Sequence, residues 1–321
     1  MSNSSNLALL LIAYRRVETV GHILEISSSS GVKNVYVVID KSPRDELVFF
    51  QEEIVSLCEK YRSSFSTMHI IERRSNVGCA ASVMTGIEWV FHHEDFVCIL
   101  EDDCIPTPDF FAFVRATRNI LESDDDVLLV CGTQFAPKTL SNGRWVKSKY
   151  ALTWGWATTK KNWSVIRSNI LSAENSPIST RKRWSVKRFL DAEDRYWNSG
   201  ARRARRGYVD VWDTVLLQVM RERKKYAILP AESLVTNVGD DTDATHTKSS
   251  EWTHKSTGTF LEQHRQPSPS SEIDQWLERH FFRISRRHLI STRITQLIDL
   301  FRTPLRPPLQ DQFQNNQISE L

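Results

Sequence analysis

The chain opens with four apolar runs of strand length, and each stops at charged or polar side chains before a helix-length segment follows. Leu7 to Ala13 runs into Arg15 and Arg16, and Val35 to Ile39 into Asp40. His69 to Glu72 runs into Arg73 and Asn76, and Val97 to Leu100 into Glu101, Asp102 and Asp103. The intervening stretches have helical spacing: residues 17 to 28, closed by serines and Gly31; residues 44 to 62, with Leu47, Phe50, Ile54, Leu57 and Tyr61 at intervals of three or four; and Cys79 to Phe91, with Ala80, Val83, Met84, Ile87 and Val90 on one face. Continuous apolar strands alternating with amphipathic helices predict an α/β fold. The sheet is mainly parallel, with a Rossmann-like arrangement, because the crossovers that parallel strands require cover both faces. In such a sheet the carboxyl ends of the strands share one edge, and ligands bind in the crevice outside it.

The fourth strand end carries the most chemistry. Three adjacent carboxylates at the end of a buried strand repel one another and resist desolvation. A hard divalent cation relieves both costs, and Mg²⁺ or Mn²⁺ takes oxygen ligands, usually one or two carboxylates plus substrate phosphates. A solvated acidic turn is the competing interpretation. Composition agrees with an enzyme of ordinary size: 321 residues, 40% hydrophobic and 25% charged, are globular values. A net charge of +3 is too small to suggest a nucleic-acid partner for the whole chain. The apolar run at Leu7 is short for a signal peptide and has no basic region before it, and no stretch reaches the roughly 18 apolar residues that span a bilayer. The five cysteines (58, 79, 98, 104 and 131) include no Cys-x-x-Cys pair and read as reduced core thiols of a cytoplasmic protein.

Arg73-Arg74-Ser75-Asn76-Val77-Gly78-Cys79-Ala80, a helix, and then Leu100-Glu101-Asp102-Asp103-Cys104-Ile105-Pro106-Thr107-Pro108-Asp109-Phe110-Phe111 resembles the nucleotide-binding half of GT-A glycosyltransferases. The likeness is nearest to family-2-like sugar transferases and the N-acetylglucosaminyltransferase I group, with Glu-Asp-Asp standing for their Asp-x-Asp-type motif. Leu152 to Thr158, Val211-Trp212-Asp213, Asn237-Val238-Gly239 and Ala244 to Thr247 resemble later segments, so the likeness spans residues 7 to 250. It implies a metal-dependent, inverting transfer of sugar from a nucleotide-diphosphate donor, uridine favoured over guanosine, to a hydroxyl of a glycan or lipid-linked acceptor in surface polysaccharide biosynthesis. By the same likeness Asp103 binds Mn²⁺ or Mg²⁺, and Asp102 contacts the donor ribose or the water shell of the metal. Glu101 lies close by as a sugar or outer contact, and Asp40 accepts from the base or ribose. Arg15 pairs with the base or diphosphate, and Arg73 and Asn76 line the crevice.

On the acceptor side, Trp154 and Trp156 flank Gly155 and offer aromatic faces to a sugar, unless they are simply core. Asp213 is the candidate general base, with helix capping as its alternative role. His246 is a candidate metal or diphosphate ligand, and Asp240, Asp241 and Asp243 share its loop. Arg202 to Arg206 could hold an anion or be a solvated helix face. The predicted organisation is a catalytic domain over 1–262, divided at about 132 into nucleotide-sugar and acceptor sides. A linker and basic amphipathic helical appendage follow over 263–302, then a disordered tail over 303–321. The stripe Ile290, Ile294, Leu297, Ile298 and Phe301, set among arginines, fits an anionic membrane surface through residues 276–302, a partner, or the catalytic domain. Two other functions remain open: a nucleotidyltransferase acting on sugar phosphates, which Ala13-Tyr14-Arg15-Arg16-Val17 disfavours by lacking a glycine-rich phosphate loop, and a non-catalytic nucleotide-sugar-binding protein.

Overall fold

The computed structural model describes residues 7–172, 192–239, 258–260, 266–285, 294–295, 298–299 and 301–318. The first half alternates β1 (Leu7–Ala13), α1 (Val17–Ser29), β2 (Val32–Ile39), α2 (Val48–Tyr61), β3 (Thr67–Glu72), α3 (Cys79–Val90) and β4 (Phe96–Glu101). A short β5 (Cys104–Pro106) leads into α4 (Pro108–Ser123) and β6 (Val127–Cys131). The second half contains β7 (Val146–Ser148), β8 (Trp156–Thr159), α5 (Lys160–Ser172), α6 (Ala192–Arg205), α7 (Asp213–Arg223), β9 (Tyr226–Leu229) and β10 (Val235–Asn237). Two short helices follow, α8 (Ser271–Trp276) and α9 (Leu309–Asn315).

Eight strands form one sheet in the order β3-β2-β1-β4-β8-β6-β9-β7. β3, β2, β1 and β4 are mutually parallel, β8 runs antiparallel to both β4 and β6, and β7 is an antiparallel edge on β9. The expected α/β sheet is therefore present, with its parallel half contributed by the first four strands. Alternate residues of β1 feed two cores, as the two-residue period of a strand requires. Leu7, Leu9, Leu11 and Ala13 pack with Val20, Ile23 and Leu24 of α1 and with Phe110 and Val114 of α4. Ala8, Leu10 and Ile12 pack with Val83, Met84 and Ile87 of α3. Register places Ala13 beside Ile39, Ile39 beside Glu72, and Ile12 beside Glu101. The four strand ends thus form one row, and the residues that follow them gather along it.

The C-terminal region differs from expectation. The stretch before α8 is docked rather than a free linker: Lys147 N–H donates to Ser268 O at 2.9 Å, and Ser270 N–H to Lys147 O at 3.0 Å. Ser270 Oγ caps α8 by accepting from Ile273 N–H, and Ile273 and Leu277 are fully buried. Residues 303–318 are likewise ordered onto the domain rather than a disordered tail. α9 packs against α3, α5 and α6, with Leu309 and Phe313 2% and 1% exposed. The low apolar content of this segment hid two side chains one helical turn apart, which suffice to anchor it. The basic appendage divides in the same way. Trp276, Phe281, Phe282 and Ile284 lie on the core, whereas Ile294, Ile298 and Phe301 are exposed. Ile290 and Leu297 lie outside the described residues. Among the described residues no helix is long and apolar enough to cross a membrane.

Candidate active site

Two buried carboxylates hold the turns that border the crevice. Asp102 Oδ2 accepts the N–H groups of Tyr14, Arg15 and Arg16 at 2.8, 2.9 and 3.2 Å, and its Oδ1 receives Arg16 Nη1 at 3.0 Å. The β1–α1 turn is thereby wrapped around one carboxylate, and Gln51 Nε2 ties the same turn to α2 through Tyr14 O at 2.6 Å. Asp40 does the corresponding work after β3. Its Oδ1 accepts from Val77 N–H and its Oδ2 from Gly78 N–H, both at 2.9 Å, and Asn76 Nδ2 donates to Oδ2 at 3.1 Å. Burial pushes the Asp40 carboxyl up from its ordinary value, and these backbone donors and Arg73 pull it back. Each acid thus accepts mainly from backbone, with one side-chain donor apiece, Arg16 for Asp102 and Asn76 for Asp40.

Glu101 and Asp103 are the half-buried members of the triplet. Burial, then the neighbouring Asp103, Asp102 and Asp213, push Glu101 up to about 8. Burial and Asp102 push Asp103 upward as well, with Arg16 opposing. Asp103 is fixed from the far side by β5 and β10, which pair Asn237 with Cys104. Val238 N–H donates to Asp103 O at 2.8 Å, and Cys104 Sγ to Asp103 Oδ1 at 3.1 Å. Gly239 is required here, because a Cβ on it would collide with Asp103 Oδ2.

Asp213 reaches this group from a separate element, the first turn of α7. Its charge acts on Glu101, on Cys79 at the start of α3, and on Tyr196 of α6. Trp212, directly before it, stacks on Trp156 with ring centroids 5.1 Å apart. Trp156 is only 1% exposed, so of the two roles open to it the structure gives that of core, against Trp212. Trp154 is half-buried beside Phe135 and Phe281, and Gly155 adopts φ +72° where a Cβ would press on Val235. Arg73 donates to Asn316 O at 2.7 Å and to Thr85 Oγ1, while its charge acts on Asp40. His246, Asp240, Asp241 and Asp243 lie outside the described residues.

Three participants escaped the sequence reading. Arg16 sends its guanidinium to the acid cluster, pairing with Asp102. Asp210 caps α3 by accepting from Cys79 N–H at 3.2 Å and Ala80 N–H at 3.0 Å. Arg306 from the C-terminal segment pairs with that same Asp210, Nε to Oδ2 at 3.3 Å, and also donates to Asn76 Oδ1. α3 follows Gly78 and has no side-chain cap of its own, but the residue that caps it lies far along the chain, so nothing local marked Asp210 or Arg306.

The donor set suits a hard cation in kind. Glu101 and Asp103 present only oxygen, and the thiols of Cys79 and Cys104 are held neutral by burial and by the surrounding acids. Among the described residues no three His, Cys, Asp or Glu side chains form a complete metal site by themselves.

A half-parallel α/β sheet with an acidic motif closing its fourth strand is consistent with the GT-A fold of nucleotide-sugar glycosyltransferases. Residues 10–185 match the family described as Glycosyl transferase family 2, and the chain belongs to that family. Comparison with curated proteins finds no match. Two solved structures are similar in layout. UDP-glucose pyrophosphorylase complexed with UDP-glucose is 8% identical, covering 70% of this chain and 89% of that one, with a TM-score of 0.35. The inositol-1-phosphate CTP transferase from T. maritima is 11% identical, covering 73% and 89%, with a TM-score of 0.38. Likeness at this level carries no argument about activity.

Proposed function

We propose that the chain transfers a sugar from a nucleoside-diphosphate donor to a hydroxyl of a glycan or glycolipid acceptor, with inversion, in the presence of Mn²⁺ or Mg²⁺. The observation that carries this reading is the pair of carboxylates, Glu101 and Asp103, that closes β4, with Asp213 at the start of α7 near enough for its charge to act on Glu101. Asp103 would hold the cation, with Glu101 beside it. A divalent cation there supplies Lewis-acid stabilisation of the leaving diphosphate. Asp102 and Asp40 set the two turns that face the donor, and Arg16 balances part of the acidic charge. Asp213 takes the proton from the acceptor hydroxyl as that oxygen attacks the anomeric carbon from the face opposite the diphosphate. Uridine diphosphate is the first base to try, and Trp154 is the aromatic side chain best placed to meet an acceptor sugar. The exposed apolar side chains at 294–301 support contact with an anionic membrane surface where a lipid-linked acceptor would reside.

Release of nucleoside diphosphate from UDP-sugars, measured with Mn²⁺ and with EDTA, tests the reading. The wild-type protein should turn over one donor in a metal-dependent way, and Asp213→Asn should slow it by about 10²-fold or more while still binding donor. Binding without turnover at any metal concentration would leave only a nucleotide-sugar-binding protein.

A further inference from the structure

Residues 301–318 reach the crevice from far away in sequence, and Arg306 bridges two loops there. Arg306 donates from Nη2 to Asn76 Oδ1, on the β3–α3 turn, and its Nε forms an ion pair with Asp210 Oδ2 at 3.3 Å, on the connection that leads three residues later to Asp213. Asp210 in turn caps the N-terminus of α3 through Cys79 and Ala80 N–H. The approach is tight: a Cβ at Gly78, whose φ is +89°, would collide with Asp210 and press on the Arg306 guanidinium. The main chain holds the segment in place independently of the Arg306 side chain. Leu305 and Arg306 N–H both donate to Gly207 O, at 2.8 and 3.1 Å, and Arg73 Nη1 donates to Asn316 O at 2.7 Å. Leu309 and Phe313 then bury against α3, α5 and α6.

We infer that Arg306 is a positioning residue of the donor site: it braces the Arg73–Gly78 turn against the loop that carries Asp213. This rests on the proposed function and deepens it. The guanidinium suits the task because its planar fork can hold two acceptors on different elements at once, whereas an ammonium is a point charge. Without the fork, Asp210 keeps its two backbone donors but loses its tie to Asn76. The turn over α3 and the approach to Asp213 can then shift independently. Since the Arg306 side chain is 29% exposed and its pair lies at the edge of the domain, the brace contributes little to global stability.

The test compares full-length wild type, Arg306→Ala and Arg306→Lys by thermal melting, amide hydrogen exchange and titration with UDP plus Mn²⁺. Arg306→Ala should melt within about 2 °C of wild type. Its Val77 to Ala80 amides should exchange about tenfold faster, and its UDP affinity should fall about tenfold, with Arg306→Lys restoring part of both. Unchanged exchange and affinity would overturn the inference, and so would faster exchange with unchanged affinity. A large fall in melting temperature that Arg306→Lys fails to repair would mark a purely structural contact and overturn it too. Wild-type protein that binds no nucleoside diphosphate would instead remove the donor-site reading, a failure visible before any variant is compared.

Discussion

At the residue scale, adjacent acids at the end of β4 have divided their work. Asp102 is spent on the β1–α1 turn, whereas Glu101 and Asp103 remain half-buried among other carboxylates. The triplet was legible as a site because three like charges after an apolar run demand an explanation. Its internal division was not, since which acid faces the backbone depends on where the β1–α1 turn falls. The same limit hid Arg16, whose guanidinium the turn directs to Asp102. Asp103 is the most constrained of the group, wedged between Cys104 and Gly239. Gly239→Ala should therefore displace the Asp103 carboxylate and weaken Mn²⁺-dependent nucleotide binding by about tenfold or more while leaving the fold intact. Titration of the variant with UDP and Mn²⁺ checks this, and wild-type affinity would mean that Asp103 tolerates the shift.

At the element scale, the strands and helices of the first half were readable because their apolar period and their punctuation agree. Helix α9 was not, because Pro304, Pro307, Pro308 and the surrounding glutamines and asparagines carry the composition of a solvated tail. Only the placement of Phe313 against α3 and α5 reveals an anchor, and such a contact between distant parts of the chain leaves no local trace. Phe313→Ala should cost about 3 kcal/mol, the usual loss for truncating a buried aromatic. Chemical denaturation measures it, and a loss under about 1 kcal/mol would show that the segment is dispensable to the fold. Trp156 is a second case: the sequence leaves it open as a sugar face or as core, and its burial against Trp212, directly before α7, decides for core.

At the scale of the whole molecule, the C-terminal elements close the second half of the sheet through a polar seam. Asp274 of α8 accepts from Ser148 Oγ at 2.6 Å, beside Lys149, which pairs with Glu193 and Glu278. Burial pushes Asp274 up to about 6, with Ser148 and Lys149 opposing. A carboxyl raised in the folded state stabilises it fully only below its unfolded value near 3.8, and that contribution is lost as pH rises through about 6. The stability of wild type relative to Asp274→Asn should therefore fall between pH 4 and pH 7, since the amide still accepts from Ser148 but cannot ionise. Urea midpoints of both proteins across that range decide it, and parallel curves would place the Asp274 carboxyl near its ordinary value. The parallel half of the sheet was foreseeable from the first hundred residues. The way residues 301–318 return to the strand-end crevice was not.

Calorimetric titration of the wild-type chain and Asp103→Asn with UDP, in Mn²⁺ and in EDTA, tests the central claim most directly. A strand-end donor site predicts binding by wild type that requires Mn²⁺ and is lost in Asp103→Asn. Equal binding by both proteins, or binding indifferent to the metal, would contradict it.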